Sequence, residues 1–375
     1  MSAQVAVEGR LVLESEVVSG TIVVEDGLIV SVERSGHDAA GPIIAPGFID
    51  VHVHGWGGHS AMGGPDALDG MSRALLRRGV TSFLPTAWTE PLTAVNEFAE
   101  TVRAWIPSAP ANGAAPLGFN LEGPFLAPAR KGAHDPAHLL APADVPLADI
   151  EPLVQDLRLI TIAPELRGAL ELIGWLRDRG VAVSMGHSAA TFDEARAGYA
   201  AGGTTTTHLF NAMTGVDHRV PGLAVAALTL DDAYVELIAD GVHVDPALWP
   251  LIRRAKPADR LLLVSDAIRL AGTGDGRATI GGLEVEIVGG RVTLVGTTTL
   301  AGSVIALDTA VRNLTANGAS VPAAVAAASA NPAAMLGVTD RGRIAVGLRA
   351  DLVELDDDFG VRRVMRAGAW LGPGG

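Results

Sequence analysis

The sequence predicts an α/β protein, a (β/α)8 (TIM) barrel with a small β-sandwich domain formed by both chain termini. Three observations predict this fold. From residue 48 onward, short apolar runs alternate with helical or loop segments. Counting from that point gives eight strands, the number that closes a parallel barrel. Strand-like runs also occur before and after this region, so we expect the two ends of the chain to join beside the barrel.

The N-terminal residues read as a small β unit. Short strands are predicted at 4–7, 10–12, 20–25 and 28–33, and Asp26-Gly27 between two alternating runs is typical of a hairpin turn. Strand-like runs return at 342–346, 350–355 and 361–366. The predicted domains are therefore 1–45 and 342–375 for the two parts of the sandwich, and 46–341 for the barrel.

The first barrel strand is predicted at 48–55 and carries His52 and His54. Side chains two positions apart on a strand point to the same face. Because paired histidines on one strand face seldom occur for packing alone, the pattern favours metal ligands over core residues.

The stretch 181–213 contains a second pair of histidines that the sequence predicts to lie close together. An apolar strand at 181–185 leads to His187, a helix is predicted at 191–201, and a strand at 204–207 leads to His208. Consecutive parallel strands end at the same edge of a sheet, so both imidazoles should emerge there and form a metal site. The alternative is that each is a capped or hydrogen-bonded loop histidine.

The other barrel strands are predicted at 81–86, 117–121, 157–163, 235–239 and 260–264, with a helix at 67–78 before the second strand. Polar residues lie at or just beyond the strand ends, which is where a barrel carries its active site. They are His52, His54, Glu122, His187, His208, Asp240, His243 and Asp266. After these, the sequence predicts a hairpin of 278–287 and 291–295 and helices at 303–316 and 322–330.

Composition excludes several classes of protein. The chain has 375 residues, a formal net charge of −14 and no cysteine, which removes disulfides, thiolate ligands and cysteine nucleophiles. It contains no basic run, so we expect no nucleic-acid partner. No long uncharged apolar stretch predicts a membrane span, and the first ten residues lack the layout of a signal peptide, so a cytoplasmic location is expected.

The residue types predict metal-dependent hydrolysis. Glu122, His187 and His208 offer one oxygen and two nitrogens and leave a position for water, as in hydrolytic zinc sites. Asp266 is placed to accept the water proton and pass it to a leaving group. His52 and His54 could bind a second ion with a shared carboxylate. We expect one or two divalent ions per subunit, zinc first, with Fe2+, Mn2+ or Co2+ as alternatives.

Several motifs resemble a known family. Residues 46–54, ending in His52-Val53-His54, resemble the first-strand signature of the amidohydrolase superfamily. More specifically, the chain is similar to the N-acetylglucosamine-6-phosphate deacetylases over nearly its whole length. The motifs that carry this similarity, in the family's order, are Leu121-Glu122-Gly123-Pro124-Phe125, Lys131-Gly132-Ala133-His134, Gly186-His187-Ser188, Thr207-His208-Leu209-Phe210-Asn211-Ala212-Met213, Ala239-Asp240-Gly241-Val242-His243, Val264-Ser265-Asp266-Ala267 and Leu300-Ala301-Gly302-Ser303.

The resemblance implies roles for individual residues. Glu122, His187 and His208 would bind the metal, Asp266 would be general base and acid, and His134 would help to hold the acetyl carbonyl. Arg219 would reach the substrate phosphate across the interface of a homodimer. The other implied contacts to the amino-sugar phosphate are Ala133, Asn211, Ala212, His243, Leu300, Ala301 and Gly302. The implied reaction converts N-acetyl-D-glucosamine 6-phosphate to glucosamine 6-phosphate and acetate, in amino-sugar catabolism or recycling.

Two other functions fit the same fold. One is another amide hydrolase of the superfamily, such as an N-acyl-amino-acid deacylase or a cyclic-amide hydrolase. Substrate profiling separates it from the sugar-phosphate deacetylase, because only the deacetylase should require a phosphate on its substrate. The other is a catalytically idle sugar-binding or regulatory protein. The intact set of predicted ligands and Asp266 argue against the second, and a metal assay discriminates.

Overall fold

The computed structural model describes residues 4–35 and 41–371 and contains the predicted barrel. Adjacent barrel strands are parallel, from the first to the sixth and again between the seventh and the eighth. In chain order, the eight barrel strands of the described residues are Phe48–Val53, Val80–Ala87, Phe119–Glu122, Leu157–Ile162, Ala182–Met185, Thr205–Thr206, Val235–Leu237 and Leu261–Leu263.

Backbone hydrogen bonds close these strands into a ring. Beside the sixth strand, the Thr206 N–H donates to the Tyr234 carbonyl at 3.1 Å and the Tyr234 N–H donates to the Thr204 carbonyl at 3.0 Å. At the other seam, the Asp266 N–H donates to the His52 carbonyl at 2.9 Å. The carboxyl ends of the strands therefore surround one end of the barrel, as predicted.

Helices cover the outside of the barrel. In the described ranges the α-helices are Pro65–Leu76, Leu92–Trp105, Leu147–Val154, Ala169–Arg177, Phe192–Ala201, Leu223–Thr229, Trp249–Ala255, Leu307–Ala316, Val321–Ala327 and Ala330–Met335. Short 3-10 helices lie at Ile106–Ser108, Pro128–Arg130, Pro136–His138, Pro142–Asp144, Pro246–Leu248 and Ala258–Arg260. Among the helices of the described part of the chain, none is both long and apolar enough to span a lipid bilayer.

The predicted helices are present with shifted ends. The helix predicted at 191–201 starts behind Thr191, whose side chain accepts from the Glu194 N–H while Glu194 bonds back to the Thr191 N–H. This reciprocal capping box fixes the helix start. The prediction of a single helix at 322–330 is wrong, because the structure has two helices there, Val321–Ala327 and Ala330–Met335. They are separated at Ser329, whose φ and ψ of −142° and −75° lie outside the helical region.

Both chain ends enter one sheet, which confirms that they join. Its N-terminal strands are Val5–Val12, Val17–Glu25, Leu28–Arg34 and Ile43–Pro46, and its C-terminal strands are Leu352–Leu355, Val361–Arg366 and Ala369–Leu371. Ile43–Pro46 pairs with Val5–Val12 on one side and with Leu352–Leu355 on the other. The sheet has its own apolar core, which includes Leu11, Ile22 and Met365. The two-layer arrangement and the two domain boundaries, after residues 45 and 341, stay predictions.

Three predicted features of the smaller sheets are wrong in detail. The strands predicted at 4–7 and 10–12 are one strand, because Gly9 stays in register opposite Gly20. Residues 342–346 form no strand, although Ile344 packs into the core of the terminal sheet. The hairpin predicted from 278 to 295 has three strands, Gly276–Ile280, Leu283–Val288 and Arg291–Leu294. Gly281 and Gly282, with φ of 52° and 74°, make the additional turn.

Two-residue strands complete the fold. Ala115–Pro116 pairs with the second barrel strand, and Gly55–Trp56 pairs with His59–Ser60 just past the first. The three-stranded sheet packs through Val285 and Ile287 against Trp88, which follows the second barrel strand. These additions cover one side of the barrel end where the predicted site residues lie.

The barrel interior below this end is polar. Asp50 is fully buried and its Oδ1 accepts from the backbone N–H groups of His52 and Ser265, both at 3.3 Å, which ties the first strand to the eighth. Burial raises the pKa of Asp50 to about 6. Hydroxyl groups of Thr161 and Thr207 meet at 2.9 Å on the opposite side. Hydrogen bonds across the interior thus fix the positions of several strand ends.

Candidate active site

Three of the predicted ligands meet at the carboxyl ends of their strands. Glu122 is the last residue of the third strand, and His187 and His208 lie two residues beyond the fifth and sixth. Glu122 Oε1 is 3.0 Å from the Nε2 atoms of both histidines, and these Nε2 atoms are 3.1 Å from each other. Ligand atoms bound tetrahedrally to zinc at about 2.0–2.1 Å would be roughly 3.3 Å apart. The triad therefore has the dimensions of a divalent metal site.

The second oxygen of Glu122 faces another group of ligands. Glu122 Oε2 is 3.1 Å from His54 Nε2 and 3.6 Å from His52 Nε2. Asp266 Oδ1 is 3.3 Å and 3.7 Å from the same two nitrogens. Together these residues could hold a second ion, with Glu122 shared between the two positions. The structure therefore brings together all five predicted metal ligands and Asp266.

In two of the site histidines, a hydrogen bond at Nδ1 leaves Nε2 in the form that can bind metal. His54 Nδ1 lies 3.1 Å from the Thr86 carbonyl, and His187 Nδ1 lies 2.9 Å from the Arg130 carbonyl. A carbonyl oxygen only accepts, so in the neutral rings Nδ1 carries the hydrogen and Nε2 keeps its lone pair. The Nε2 atoms of His52 and His54 are buried without a hydrogen-bond partner among the described residues. A metal ion would satisfy both.

Three site residues have a backbone conformation that is uncommon outside glycine. The φ angles of His187, His208 and Asp266 are 47°, 28° and 50°. Such left-handed conformations cost of order 1–3 kcal/mol each, and they persist where the surrounding structure fixes them. Each residue follows a barrel strand, so the unusual turn directs its side chain over the barrel end.

Burial and charge act in opposite directions on the ionisation of the site. For Glu122, burial would raise the pKa, but the nearby His52 and His134 hold it well below its usual range. Burial lowers the pKa of His187 to about 4, which keeps this imidazole neutral at pH 7. Glu122 is thus anionic and His187 neutral, the states in which carboxylates and imidazoles bind metal.

The other site histidines are drawn toward the protonated form. Burial would lower the pKa values of His52, His54 and His208, but the carboxylates around them outweigh this effect and raise the pKa of each. Glu122 is the main cause for His52 and His208, and Asp266 is the main cause for His54. Burial would also raise the pKa of Asp266, yet the neighbouring His54 and His52 lower it. The cluster is therefore an anionic centre that favours bound positive charge.

A cavity of about 340 Å3 lies above the ligands and reaches most of the predicted substrate contacts. Predicted contacts among the residues that line it are Ala133, His134, Asn211, Ala212, His243, Leu300 and Gly302. Ala301 is buried and is not among the lining residues. His243 is oriented by Asp240, whose Oδ2 lies 2.7 Å from His243 Nδ1. The substrate roles of all these residues remain predictions.

His134 is held in the tautomer of a hydrogen-bond donor. The Thr89 N–H donates to His134 Nδ1 at 3.4 Å, so in the neutral ring the hydrogen is on Nε2. His134 Nε2 lies 3.4 Å from Glu122 Oε2 and faces the cavity region. This imidazole can therefore donate to an oxygen atom of a bound molecule, unlike His54 and His187.

Arg219 lies away from the cavity of its own chain. It sits in the exposed segment 215–220, where its N–H donates to Asp217 Oδ1 at 2.7 Å. The only arginine or lysine that lines the cavity, among the described residues, is Arg130. A contact from Arg219 to a ligand would have to come from a second subunit, and this arrangement stays a prediction.

Sequence reasoning missed two residues next to the ligands. Trp88 stacks on His54, with ring centroids 3.6 Å apart and planes 14° from parallel. Trp88 directly follows the second barrel strand, and a position just past a strand end was also the signal that predicted the other site residues. Glu236 contacts His52 from inside the seventh strand, and a glutamate between Val235 and Leu237 in an apolar run was a signal too.

Comparisons with known proteins agree with this geometry. A match to the Amidohydrolase family extends over residues 43–371. The chain is 39% identical to the N-acetylgalactosamine-6-phosphate deacetylase of Escherichia coli O157:H7, over 91% of this chain and 92% of that protein. It is 38% identical to the N-acetylglucosamine-6-phosphate deacetylase of Homo sapiens, over 96% and 92% of the two chains.

A solved structure with the same fold contains a sugar phosphate. It is a mutant of the N-acetyl-D-glucosamine-6-phosphate deacetylase from Mycobacterium smegmatis in complex with N-acetyl-D-glucosamine-6-phosphate. The TM-score is 0.91 at 33% identity, with 98% of this chain and 99% of that chain covered. The likeness therefore extends to the whole fold and not only to the barrel.

Replacing one imidazole of the triad tests the metal site. We expect His187→Ala to lose the tightly held divalent ion and the activity, because one carboxylate and one imidazole are too few ligands for a closed site. Metal content per chain, measured by elemental analysis after dialysis, checks this. His138→Ala is the matched control, since His138 belongs to neither group of ligands. Equal metal content in His187→Ala and wild type would contradict the assignment.

Proposed function

We propose that this chain, which belongs to the amidohydrolase family, is a metal-dependent deacetylase of N-acetyl-D-glucosamine 6-phosphate. The products would be glucosamine 6-phosphate and acetate, in amino-sugar catabolism or recycling. The observation that carries the proposal is Glu122, whose two oxygens face two groups of imidazoles below a cavity of sugar-phosphate size. The similarity to deacetylases of N-acetylhexosamine 6-phosphates supports the choice of substrate.

The ligand set fits a divalent metal, with zinc as the first expectation. Glu122, His187 and His208 would hold one ion, and His52 and His54 a second one when it is present. Such an ion, when bound, lowers the pKa of water to about 7 and polarises a carbonyl. The protein's own contribution is to keep His187 neutral and Glu122 ionised at the pH of the reaction.

Asp266 is proposed to move the proton. Its lowered pKa keeps Asp266 ionised near neutrality, so Asp266 Oδ1 or Oδ2 can accept a proton from the attacking water. The water oxygen forms a bond with the acetyl carbon, and the bond from that carbon to the sugar nitrogen breaks. Asp266 then returns the proton to the departing amine. One carboxylate thus serves as base and then as acid.

His134 is proposed to bind the acetyl oxygen. Since the hydrogen is on Nε2, this imidazole can donate to an oxygen that gains negative charge as water attacks. Its side chain is almost completely buried, which strengthens such a hydrogen bond. His134 would therefore stabilise developing charge without binding metal.

The cavity wall is proposed to bind the sugar and its phosphate. Asn211 and His243 offer polar side chains, and Leu300 and Gly302 lie on the opposite loop. The phosphate would take a bidentate contact from Arg219 of a second subunit, because the planar guanidinium can donate two hydrogen bonds at once. The active form would then be a homodimer with sites completed in trans.

A second candidate substrate differs in one hydroxyl configuration. The Escherichia coli relative is named for N-acetylgalactosamine 6-phosphate, and its sequence identity to this chain, 39%, is close to the 38% of the Homo sapiens relative named for N-acetylglucosamine 6-phosphate. We favour N-acetylglucosamine 6-phosphate because the motifs in the sequence resemble that family. The two sugars are epimers at one carbon, so direct comparison of rates decides between them.

Substrate profiling on metal-analysed enzyme tests the function. We expect acetate release from N-acetylglucosamine 6-phosphate with a kcat/KM above those for N-acetylgalactosamine 6-phosphate, unphosphorylated N-acetylglucosamine and N-acyl amino acids. An unphosphorylated amide that reacts as well as the phosphorylated sugar would contradict the proposal and favour another amide hydrolase. A metal-loaded enzyme that hydrolyses none of them would indicate a binding protein.

Replacing Asp266 separates proton transfer from binding. Asp266→Asn removes the base but keeps the shape, so we expect kcat to fall by about 10²–10⁴-fold while the metal at the Glu122, His187 and His208 position and the substrate affinity remain. Steady-state kinetics, elemental analysis and a binding titration measure these three quantities. A kcat close to that of the wild type would assign proton transfer to another group.

Replacing Arg219 tests the assembly in trans. Arg219→Ala should raise KM for the phosphorylated substrate by roughly 10- to 100-fold, the effect of losing hydrogen bonds to a charged group worth about 1.5–3 kcal/mol. KM for the unphosphorylated sugar should change much less. Mixing Arg219→Ala subunits with Asp266→Asn subunits should restore activity, because the intact Asp266 and the intact Arg219 then meet in one site.

Arg130→Ala is the comparison for this experiment, since Arg130 lines the cavity of its own chain. A larger loss of phosphate preference in Arg130→Ala than in Arg219→Ala would assign the phosphate to the same subunit. A fully active monomer, measured by sedimentation and activity at equal concentration, would also exclude completion in trans.

A further inference from the structure

Glu236 is a fully buried carboxylate inside the barrel, directly below the ligands. It lies in the seventh strand, Val235–Leu237, and its side chain points into the barrel interior. Glu236 Oε2 is 3.1 Å from His52 Nδ1 and accepts the backbone N–H of His208, also at 3.1 Å. One oxygen thus contacts a ligand from each of the two groups.

Stability does not explain this glutamate. A carboxylate removed from water is strongly destabilising unless it is paired, and a buried charged group is often replaced by an apolar residue without loss of stability. In the described part of the chain, Glu236 has no contact with lysine or arginine, and its Oε1 is buried without a hydrogen-bond partner. The hydrogen-bond contacts of its side chain are with His52 and His208, two residues of the candidate metal site.

Glu236 holds the His208 turn from two directions. Its carboxylate accepts the His208 N–H, and its backbone carbonyl accepts the Leu209 N–H at 2.8 Å. His208 has a φ of 28°, a conformation that needs external support. Two hydrogen bonds to consecutive N–H groups provide this support and fix the direction of the His208 side chain.

The contact with His52 fixes a tautomer. A carboxylate only accepts, so in the neutral ring of His52 Nδ1 carries the hydrogen and the Nε2 lone pair points toward Glu122 and Asp266. The negative charge also makes the imidazole a stronger ligand, an effect known for carboxylates behind metal-bound histidines.

We propose that Glu236 is a positioning residue that orients His52 and His208 together and so couples the two ligand groups around Glu122. The inference rests on the proposed function in one respect, that these groups hold a divalent ion. It assigns to Glu236 no contact with the substrate or with the reacting atoms.

Titration of the metal-free protein with Co2+ tests the proposal without an activity assay. Glu236→Gln keeps the shape and an acceptor for the His208 N–H but removes the charge behind His52. We expect Co2+ affinity to fall by about 10- to 100-fold and the visible Co2+ absorption bands to shift. Thr205→Val is the matched control: Thr205 is also fully buried, in the sixth barrel strand, and its hydroxyl has no hydrogen-bond partner among the described residues. The control should bind Co2+ like the wild type.

A double-mutant cycle shows whether Glu236 acts through His52. In a His52→Ala background, Glu236→Gln should change Co2+ affinity little, whereas Glu236→Ala should still weaken it because the His208 turn also loses its acceptor. If Glu236→Gln does not fold, Glu236→Asp replaces it: the shorter side chain keeps the charge but cannot reach both partners, so reduced affinity is again expected.

Wild-type Co2+ affinity in a folded Glu236 variant, or an equal loss of affinity in Thr205→Val, would overturn this inference and leave the proposed function standing. A full effect of Glu236→Gln in the His52→Ala background would do the same. A wild-type protein that binds no divalent ion would overturn the inference together with the proposed function.

Discussion

One buried carboxylate, Glu122, sets the requirements for the whole barrel end. Imidazole nitrogens of five histidines lie between 3.0 and 3.6 Å from its two oxygens: His52, His54, His134, His187 and His208. An unpaired carboxylate at this depth would be destabilising by several kcal/mol, so the surrounding groups must supply positive charge or hydrogen-bond donors. Neutral imidazoles supply little charge, whereas a divalent ion on each side of the carboxylate would supply enough. In the proposed function, the chemistry of the site and its electrostatic balance would therefore depend on the same bound ions.

The barrel surrounds Glu122 with these groups by bringing together side chains from the ends of several strands. Parallel strands bring their carboxyl ends to one edge, but a side chain at a strand end points along or away from the axis unless the chain turns. The positive φ angles of His187, His208 and Asp266 provide that turn, and buried polar groups below them hold it. The free energy stored in these conformations is small beside the burial of the apolar layer between strands and helices. A stable scaffold thus carries a strained site.

The strand ends could be predicted from the sequence because an apolar run followed by a polar residue is a pattern of neighbouring residues. Apolar runs followed by Glu122, His187, His208 or Asp266 placed the ligands, and the parallel topology brought them together without knowledge of any distance. Details that depend on tertiary contacts were not predictable. Residues 342–346 look like a strand but pack into the terminal sheet without pairing, and the Gly281-Gly282 turn divides a run that could equally have continued. Trp88 and Glu236 carried a similar positional signal, but a tryptophan or a glutamate in or next to a strand usually indicates packing or a solvated face. Only the fold reveals that these two residues contact His54 and His52.

The acidic character of the protein is compatible with the proposed anionic substrate because charge acts locally. At physiological ionic strength the screening length is about 8 Å, so the exposed charges that lie farther than this from the cavity contribute little of the net charge of −14 to the potential there. What a phosphate would meet there is decided by the groups that line the wall, where Arg130 is the only arginine or lysine among the described residues and His243 offers a further polar side chain. The distant negative charges still repel large polyanions, whose many charges extend beyond the screening length. The same charge distribution is thus compatible with the small phosphorylated substrate that we propose and disfavours non-specific binding of nucleic acid.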